Sequence, residues 1–299
     1  MSALKRLPEA DPLFAGQVPD RPFYATGMLL DAQDFVDEQT YHRSRLARAL
    51  AFGLGSGTLA GLRVSHQPGD AKSPEEIIVA PGVAVDRLGR MIEIPRPACL
   101  RLGRWFDGKI AAGGGDALRL ARYDNLARFL SARSQAGNAG EIPALAVVAD
   151  VFVRFIACEK GLTPSFAAGP FDALDAVSTS RLRDAYELLL IERIDLQDTH
   201  KGLPDAKPDL AAIADPAARL AALQDAVLDA WPTASKDGLS LLPEHPPSIK
   251  DPTAVFIGRV LIPVTADNPP GRDGDKVLVD NWPRHFLPPL NLVAHWLGA

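Results

Sequence analysis

The sequence predicts an α+β chain dominated by antiparallel strands, sandwich-like, with three amphipathic helices and long proline-rich loops. Three observations predict it. Short apolar runs alternate with turn residues, as in "EEIIVAPGVAVDRLGRMIEI" over 75–94. Apolar residues recur at helical spacing over 31–52, 116–136 and about 215–230. The chain also carries 26 prolines, many of them between these stretches, where helices and central strands must stop.

The chain has 299 residues, 47% hydrophobic and 23% charged, which suits a globular chain with a sizeable core. Its net charge of -5 advertises no basic face, so nucleic acid is not an expected partner. The opening "MSALKRLPEADPLFAG" lacks the apolar core and cleavage site of a signal peptide. No window approaches 18 uninterrupted apolar residues, so no membrane insertion is expected. Cys99 and Cys158 lie in strand-like apolar segments and read as two buried free thiols rather than a disulfide or metal pair.

Residues 1–22 read as an extended arm, because Pro8, Pro12, Pro19 and Pro22 leave no room for a regular helix. A β-rich domain is expected over 23–200, carrying helices 31–52 and 116–136. The first of these, "DAQDFVDEQTYHRSRLARALAF", has Asp31 as its N-cap and Asp34 three residues later. Acids crowd its first half and arginines its second, in keeping with the helix dipole. Phe35, His42 and Ala49 share one heptad position, and Gln39 and Leu46 share another on the same side. The face is apolar but interrupted by Gln39 and His42. Seams between subunits often carry such polar residues to fix register and oligomer state. A solvated helix with a narrow apolar stripe is the plainer alternative. These five residues are the candidate interface.

"AFGLGSGTLAGL" (51–62) places Gly53, Gly55, Gly57 and Gly61 together. A dinucleotide fingerprint needs G-x-G-x-x-G between a strand and a helix. Here Thr58 takes the sixth position, and the order is helix first, strand after. No P-loop lysine is present either. The stretch reads as a helix end, with Gly53 at the C-cap and the other glycines turning the chain into "LAGLRVS". Pro81-Gly82 then marks a bend, Asp86 to Gly89 a hairpin turn with a left-handed Gly89, and "PACLRLG" closes the unit.

"AAGGGD" (111–116) is a break. Helix 116–136 follows, its stripe supplied by Leu118, Ala121, Leu126, Phe129 and Leu130 and its stop by Gly137. Ala144 to Cys158 reads as a long central strand, and "GLTPSFAAGPFD" as a loop. Residues 180–196 begin like a turn of helix and end like a strand. The segment 201–299 is expected to hold a helical insertion, a strand pair and an apolar tail. The helix, about 215–230, is capped by Asp215 with Pro216 behind it. The strand pair is 253–264 with 276–282.

No catalytic constellation emerges. Glu38 and His42 are spaced i, i+4 with Asp34 a turn earlier, but the second histidine of H-E-x-x-H is missing and a surface pair is the simpler reading. No G-x-S-x-G elbow appears. Asp150 and Arg154 share a strand face and would form either a buried pair or a half-exposed stripe. Trp105, Trp231, Trp282 and Trp296 would anchor the core or its loops, or else build a carbohydrate platform. No cofactor or metal is expected.

The block "FYATGMLLDAQDFVDEQTYHRSRLARALAFGLGSGTLAGLRV" resembles the opening of the type VI secretion baseplate adaptor family, through Gly27, Met28, Leu29, Gln33, Phe35 and Gln39. "VAPGVAVDRLGRMIEI" looks like the Pro-Gly-Val-Ala hairpin of bacterial proteins encoded beside phage tails and contractile injection systems. Here it is carried by Pro81, Gly82, Val83, Ala84, Asp86, Gly89 and Ile92. The resemblance spans about 22–102. It implies a trimeric structural subunit, similar at its N-terminal end to the shoulder of phage receptor-binding proteins, that docks on baseplate or tail subunits. The implied location is the bacterial cytoplasm during assembly, or the assembled particle. A carbohydrate- or receptor-binding β-domain is the second expectation, and a hydrolase with unrecognised carboxylates the third.

Overall fold

The structure, a computed structural model, describes residues 20–112, 121–138, 140–164, 177–205, 210–230, 239–274 and 276–297. The chain is α+β and mainly β, with five α-helices and eleven strands in three sheets among the described residues. Every pairing between these strands is antiparallel.

Helix α1 (Ala32–Gly53) starts where the acids predict. Asp31 Oδ1 accepts from the N–H of Gln33 (2.7 Å) and Asp34 (3.1 Å), and Asp34 Oδ2 accepts from the Asp31 N–H (2.9 Å). The end differs from the expectation by one residue. Gly53 is still helical, Leu54 is the C-cap, and Gly55 takes the left-handed turn at φ +81°.

Two three-stranded sheets follow. One has the order β1 (Gly57–Gly61), β4 (Gly82–Val85), β5 (Met91–Ile94); the other has β2 (Val64–Gln67), β3 (Glu76–Val79), β6 (Ala98–Arg101). The single expected strand "LAGLRVS" is thus two, broken at Leu62, whose φ is +54°. The β4–β5 turn is built by Asp86. Its Oδ1 accepts from the N–H of Leu88 (2.9 Å) and Arg90 (3.0 Å), and its Oδ2 from Arg90 Nε (2.7 Å). Gly89 has φ +79°, and its N–H donates to the Asp86 carbonyl (2.9 Å). The hairpin tip is pressed under α1, close to the backbone of Ala47.

Helix α2 (Leu102–Ala112) is absent from the sequence-based reading. Leu102 and Phe106 bury in the main core, and Trp105 Nε1 donates to the Leu190 carbonyl (2.9 Å). Helix 116–136 is not formed as expected. Residues 113–120 lie outside the described residues, and the remainder is a strand β7 (Arg122–Tyr123), a 3₁₀ turn (Leu126–Phe129) and a short helix α3 (Ala132–Gly137). Asn125 breaks the run by taking a left-handed conformation at φ 44°. Leu126, Phe129 and Leu130 then enter a core with Val148, Leu261 and Leu278. Their i, i+3, i+4 spacing satisfies that burial without a continuous helix.

The third sheet has the order β11 (Leu278–Asp280), β10 (Val255–Pro263), β8 (Ala146–Pro164), β7, with β9 (Val177–Glu192) also paired to β8. β8 is longer than expected, and β9 is strand throughout, with no opening helical turn. Both faces of β8 are covered over its first half. Val147, Ala149, Val151 and Val153 enter the main core, while Val148 and Phe152 enter two smaller clusters on the other side. The strand pair β10–β11 joins this sheet directly through β8. Helix α4 (Pro216–Leu228) keeps its Asp215 cap and buries none of its residues, and the apolar tail forms helix α5 (Leu290–Leu297). The expected arm lies outside the described residues except for 20–22. Cys158 is buried, but Cys99 is exposed on β6, because alternate residues of that strand face solvent. No described helix is long and apolar enough to cross a membrane.

His245 closes the loop before β10. The Leu242 N–H donates to His245 Nδ1 (3.1 Å), which leaves Nε2 to donate to the Ala254 carbonyl (2.8 Å). Burial holds its pKa below the usual 6.5. The fold therefore keeps the imidazole neutral, and the unfolded chain binds the proton first as pH falls. Stability from this residue is complete above about pH 6.5 and declines as pH drops below it. Denaturant titrations at pH 7.5 and pH 5.5 should show a loss in the wild type that His245→Gln, less stable at both, does not share. Equal losses in the two proteins would contradict this.

Candidate functional site

The face of α1 that carries the candidate residues is turned away from the body. Thr40, Ser44 and Ala47 are the buried residues of α1. On a 3.6-residue turn they form one stripe, and Phe35, Gln39, His42, Leu46 and Ala49 lie opposite. All five are exposed, Phe35 by 50% and Leu46 by 59%. The usual amphipathic order is inverted: small and hydroxyl side chains face inward, and the large apolar ones face out.

The apolar surface continues around the helix. Phe52 and Val36 are exposed on α1, and Phe23 and Leu29 are exposed just before it. The Tyr24 hydroxyl donates to Glu38 Oε2, which ties this preceding segment to the flank of the helix. That bond raises the Tyr24 pKa, with slight desolvation and the Glu38 and Asp34 charges adding to it. His42 stacks edge-on against Tyr41 at 5.5 Å, and Arg45 lies 5.0 Å from the Tyr41 ring centroid. Glu38 and His42 thus belong to a surface lattice. Among the described residues no three metal-ligating side chains converge.

Along one edge of that face, α1, the hairpin tip and β8–β9 border an open recess of about 210 Å³, lined by Leu46, Leu50, Met91 and Phe155 together with Arg43 and Asp184, so Leu46 meets both solvent and this recess. A larger cleft of about 1040 Å³ opens between β2 and β11, with Val64, His66, Leu145, Lys276 and Val279 among its walls. Around its wall residue His66, neighbouring charges are spent on each other. Arg272 grips Glu75 through both oxygens (2.7 and 2.8 Å), and His66 Nε2 lies 2.8 Å from Glu75 Oε1. Partial burial raises the Glu75 pKa, but the bonds to Arg272 and His66 outweigh it, so the carboxyl sits below its ordinary range.

Asp150 and Arg154 do not pair with each other. Asp150 is enclosed by Arg259 (2.7 and 2.9 Å) and Arg193 (3.0 Å), with all three side chains fully buried. Arg193 also holds Asp195 through two bonds (2.9 and 2.8 Å), which balances two guanidiniums with two carboxylates. The remaining N–H groups reach the carbonyls of Phe129, Lys201, Gly202 and Glu244. This is a structural knot that joins β8, β10 and the loop after β9. Arg154 instead reaches Glu187 (2.5 Å) and Asp251 (3.6 Å). The sequence placed Asp150 and Arg154 on one strand face, but the partners lie 43 and 109 residues away. Nothing in local spacing marks them.

The tryptophans are spread over separate elements. Trp105 packs on the main core, Trp282 is half-buried after β11, Trp296 is exposed on α5, and Trp231 lies outside the described residues.

No protein-family model matches the chain, and no curated protein matches it.

Proposed function

We propose that the chain is a non-enzymatic structural subunit of a phage-tail-like contractile injection particle, a baseplate component or fibre adaptor that self-associates along α1. The observation that carries this reading is the inverted helix, which holds small and hydroxyl groups inward and Phe35 and Leu46 outward. Exposed apolar side chains in a contiguous group cost hydration free energy unless something covers them. The polar interruptions Gln39 and His42 suit a cover of the same kind, since matched copies bring amide and imidazole to one level. Three copies, the number the resemblance implies, would gather Phe35, Gln39, His42, Leu46 and Ala49 around one axis. Among the described residues the outer edges of β2, beyond Val64, and of β11 pair with no further strand and would serve neighbouring baseplate or tail subunits.

The test is co-isolation from cells that produce the particle. Tagged wild-type chain should bring down sheath, tube or baseplate proteins. The double variant Phe35→Ser, Leu46→Ser should bring down less, while its circular dichroism spectrum stays that of the folded chain because both side chains are exposed in the single subunit. A wild-type chain that recovers none of these proteins would overturn the proposal.

A further inference from the structure

After β11 the chain turns through Asn281, Trp282 and Arg284 and builds a recess whose charge is unbalanced. Arg284 is only 6% exposed. It donates from Nε to the Asn281 carbonyl (2.8 Å), from Nη1 to the Leu62 carbonyl (2.7 Å) and from Nη2 to Asn281 Oδ1 (2.5 Å). Every one of these acceptors is neutral. A guanidinium has five N–H donors, so two remain after these bonds. Arg63 stands beside it, 5.9 Å from the Trp282 ring centroid, and its guanidinium makes no hydrogen bond or ion pair among the described residues. Arg133 lies 3.6 Å from the same ring centroid and is likewise in no ion pair. Asp280 is the acid whose field reaches Arg284, but its carboxylate is occupied by the N–H and hydroxyl of Ser131 (2.6 and 2.8 Å) and the N–H of Trp282 (3.0 Å).

A buried cation whose hydrogen-bond acceptors are all neutral is costly. Burial, and then the neighbouring Arg63 charge, draw the Arg284 pKa down to about 10. The recess holds about 60 Å³ and is lined by Gly61, Arg63, Asn281, Trp282, Arg284 and Phe286. That is room for a group of a few heavy atoms, and guanidiniums match the geometry of carboxylate and phosphate oxygens.

We propose that this recess is an oxyanion site, which takes a carboxylate or phosphate group between Arg63 and Arg284 beside the Trp282 ring. The ligand supplies a negative charge that the lining of the recess lacks. Arg284, fixed by three bonds, sets the position. Arg63, exposed and unbound, closes on the anion. Neither residue touches the face of α1, so the site stands or falls separately from the interface.

The test uses the full chain in thermal unfolding and titration calorimetry, with two probes against sodium chloride of matched ionic strength. One probe is inorganic phosphate and the other is N-acetylglutamate amide. A bound probe at tenfold its dissociation constant should raise the melting temperature by about 2–4 °C. Arg63→Ala should weaken binding by roughly tenfold or more. Arg63→Glu removes the like charge and tethers a carboxylate in the recess. It should raise the melting temperature in probe-free buffer and abolish the response. Binding of both probes, or of either alone, lost in both variants, supports the site, and the pattern tells carboxylate from phosphate. No response to either probe, or a response that Arg63→Ala leaves unchanged, would overturn it.

Discussion

Asp150→Ala should cost about 3–5 kcal/mol of folding free energy, because it strands two buried guanidiniums. Asp150 supplies both oxygens to Arg259 and one to Arg193, and none of the three has any exposed surface. The same arginines hold four loop carbonyls in place, so the loss spreads to the 200-loop, the 3₁₀ turn at Phe129 and the segment before His245. Equilibrium denaturation measures the loss as a fall in midpoint. If the alanine variant does not accumulate as folded protein, Asp150→Asn keeps the shape without the charge and should still unfold at lower denaturant. The exposed pair Lys276–Glu141 at 3.1 Å is the contrast, and Glu141→Ala should cost at most about 1 kcal/mol. Equal effects at the two sites would show that the buried knot carries no special weight.

Gly89→Ala is the second large effect, at about 3 kcal/mol or more. Two penalties combine there. The residue sits at φ +79°, where an L side chain is strained, and an added Cβ would meet the Ala47 carbonyl oxygen at 1.7 Å. That oxygen belongs to the backbone of α1, so relief requires the hairpin and the helix to part. Gly55 provides the comparison: its φ is +81°, but a Cβ there meets nothing within 4 Å. Gly55→Ala should therefore show only the conformational part, about 1–2 kcal/mol. Urea unfolding of the two variants separates the terms. A Gly89→Ala protein no less stable than Gly55→Ala would contradict the packing of the hairpin tip beneath the helix.

What was legible in the sequence was local. Asp31 with Asp34, and Asp215 with Pro216, announce helix starts because capping is settled within three residues. Asp86 and Gly89 announce the hairpin for the same reason. The helix 116–136 failed because its apolar spacing is equally satisfied by a strand, a 3₁₀ turn and a short helix once Asn125 turns left-handed and Phe129 is drawn under β10. Helix α2 is not legible in the sequence because Gly103 and Gly108 weaken its pattern, while burial of Leu102 and Phe106 supplies the stability. The Asp150 knot and the Arg284 recess were invisible, since each joins residues tens to hundreds of positions apart. For α1, the heptad spacing did identify one face, and the structure leaves that face in solvent.

The most direct test of that face as a subunit interface is the solution mass of the full chain by light scattering on a sizing column, across a hundredfold dilution. The variant Gln39→Leu, His42→Leu would be run beside the wild type. The expected result is a defined oligomer, three times the 32.0 kDa chain mass if the implied trimer holds, with a stoichiometry or stability that the double substitution changes. A monomer at every concentration, indifferent to the substitution, would contradict the interface and leave α1 as ordinary solvent-exposed surface.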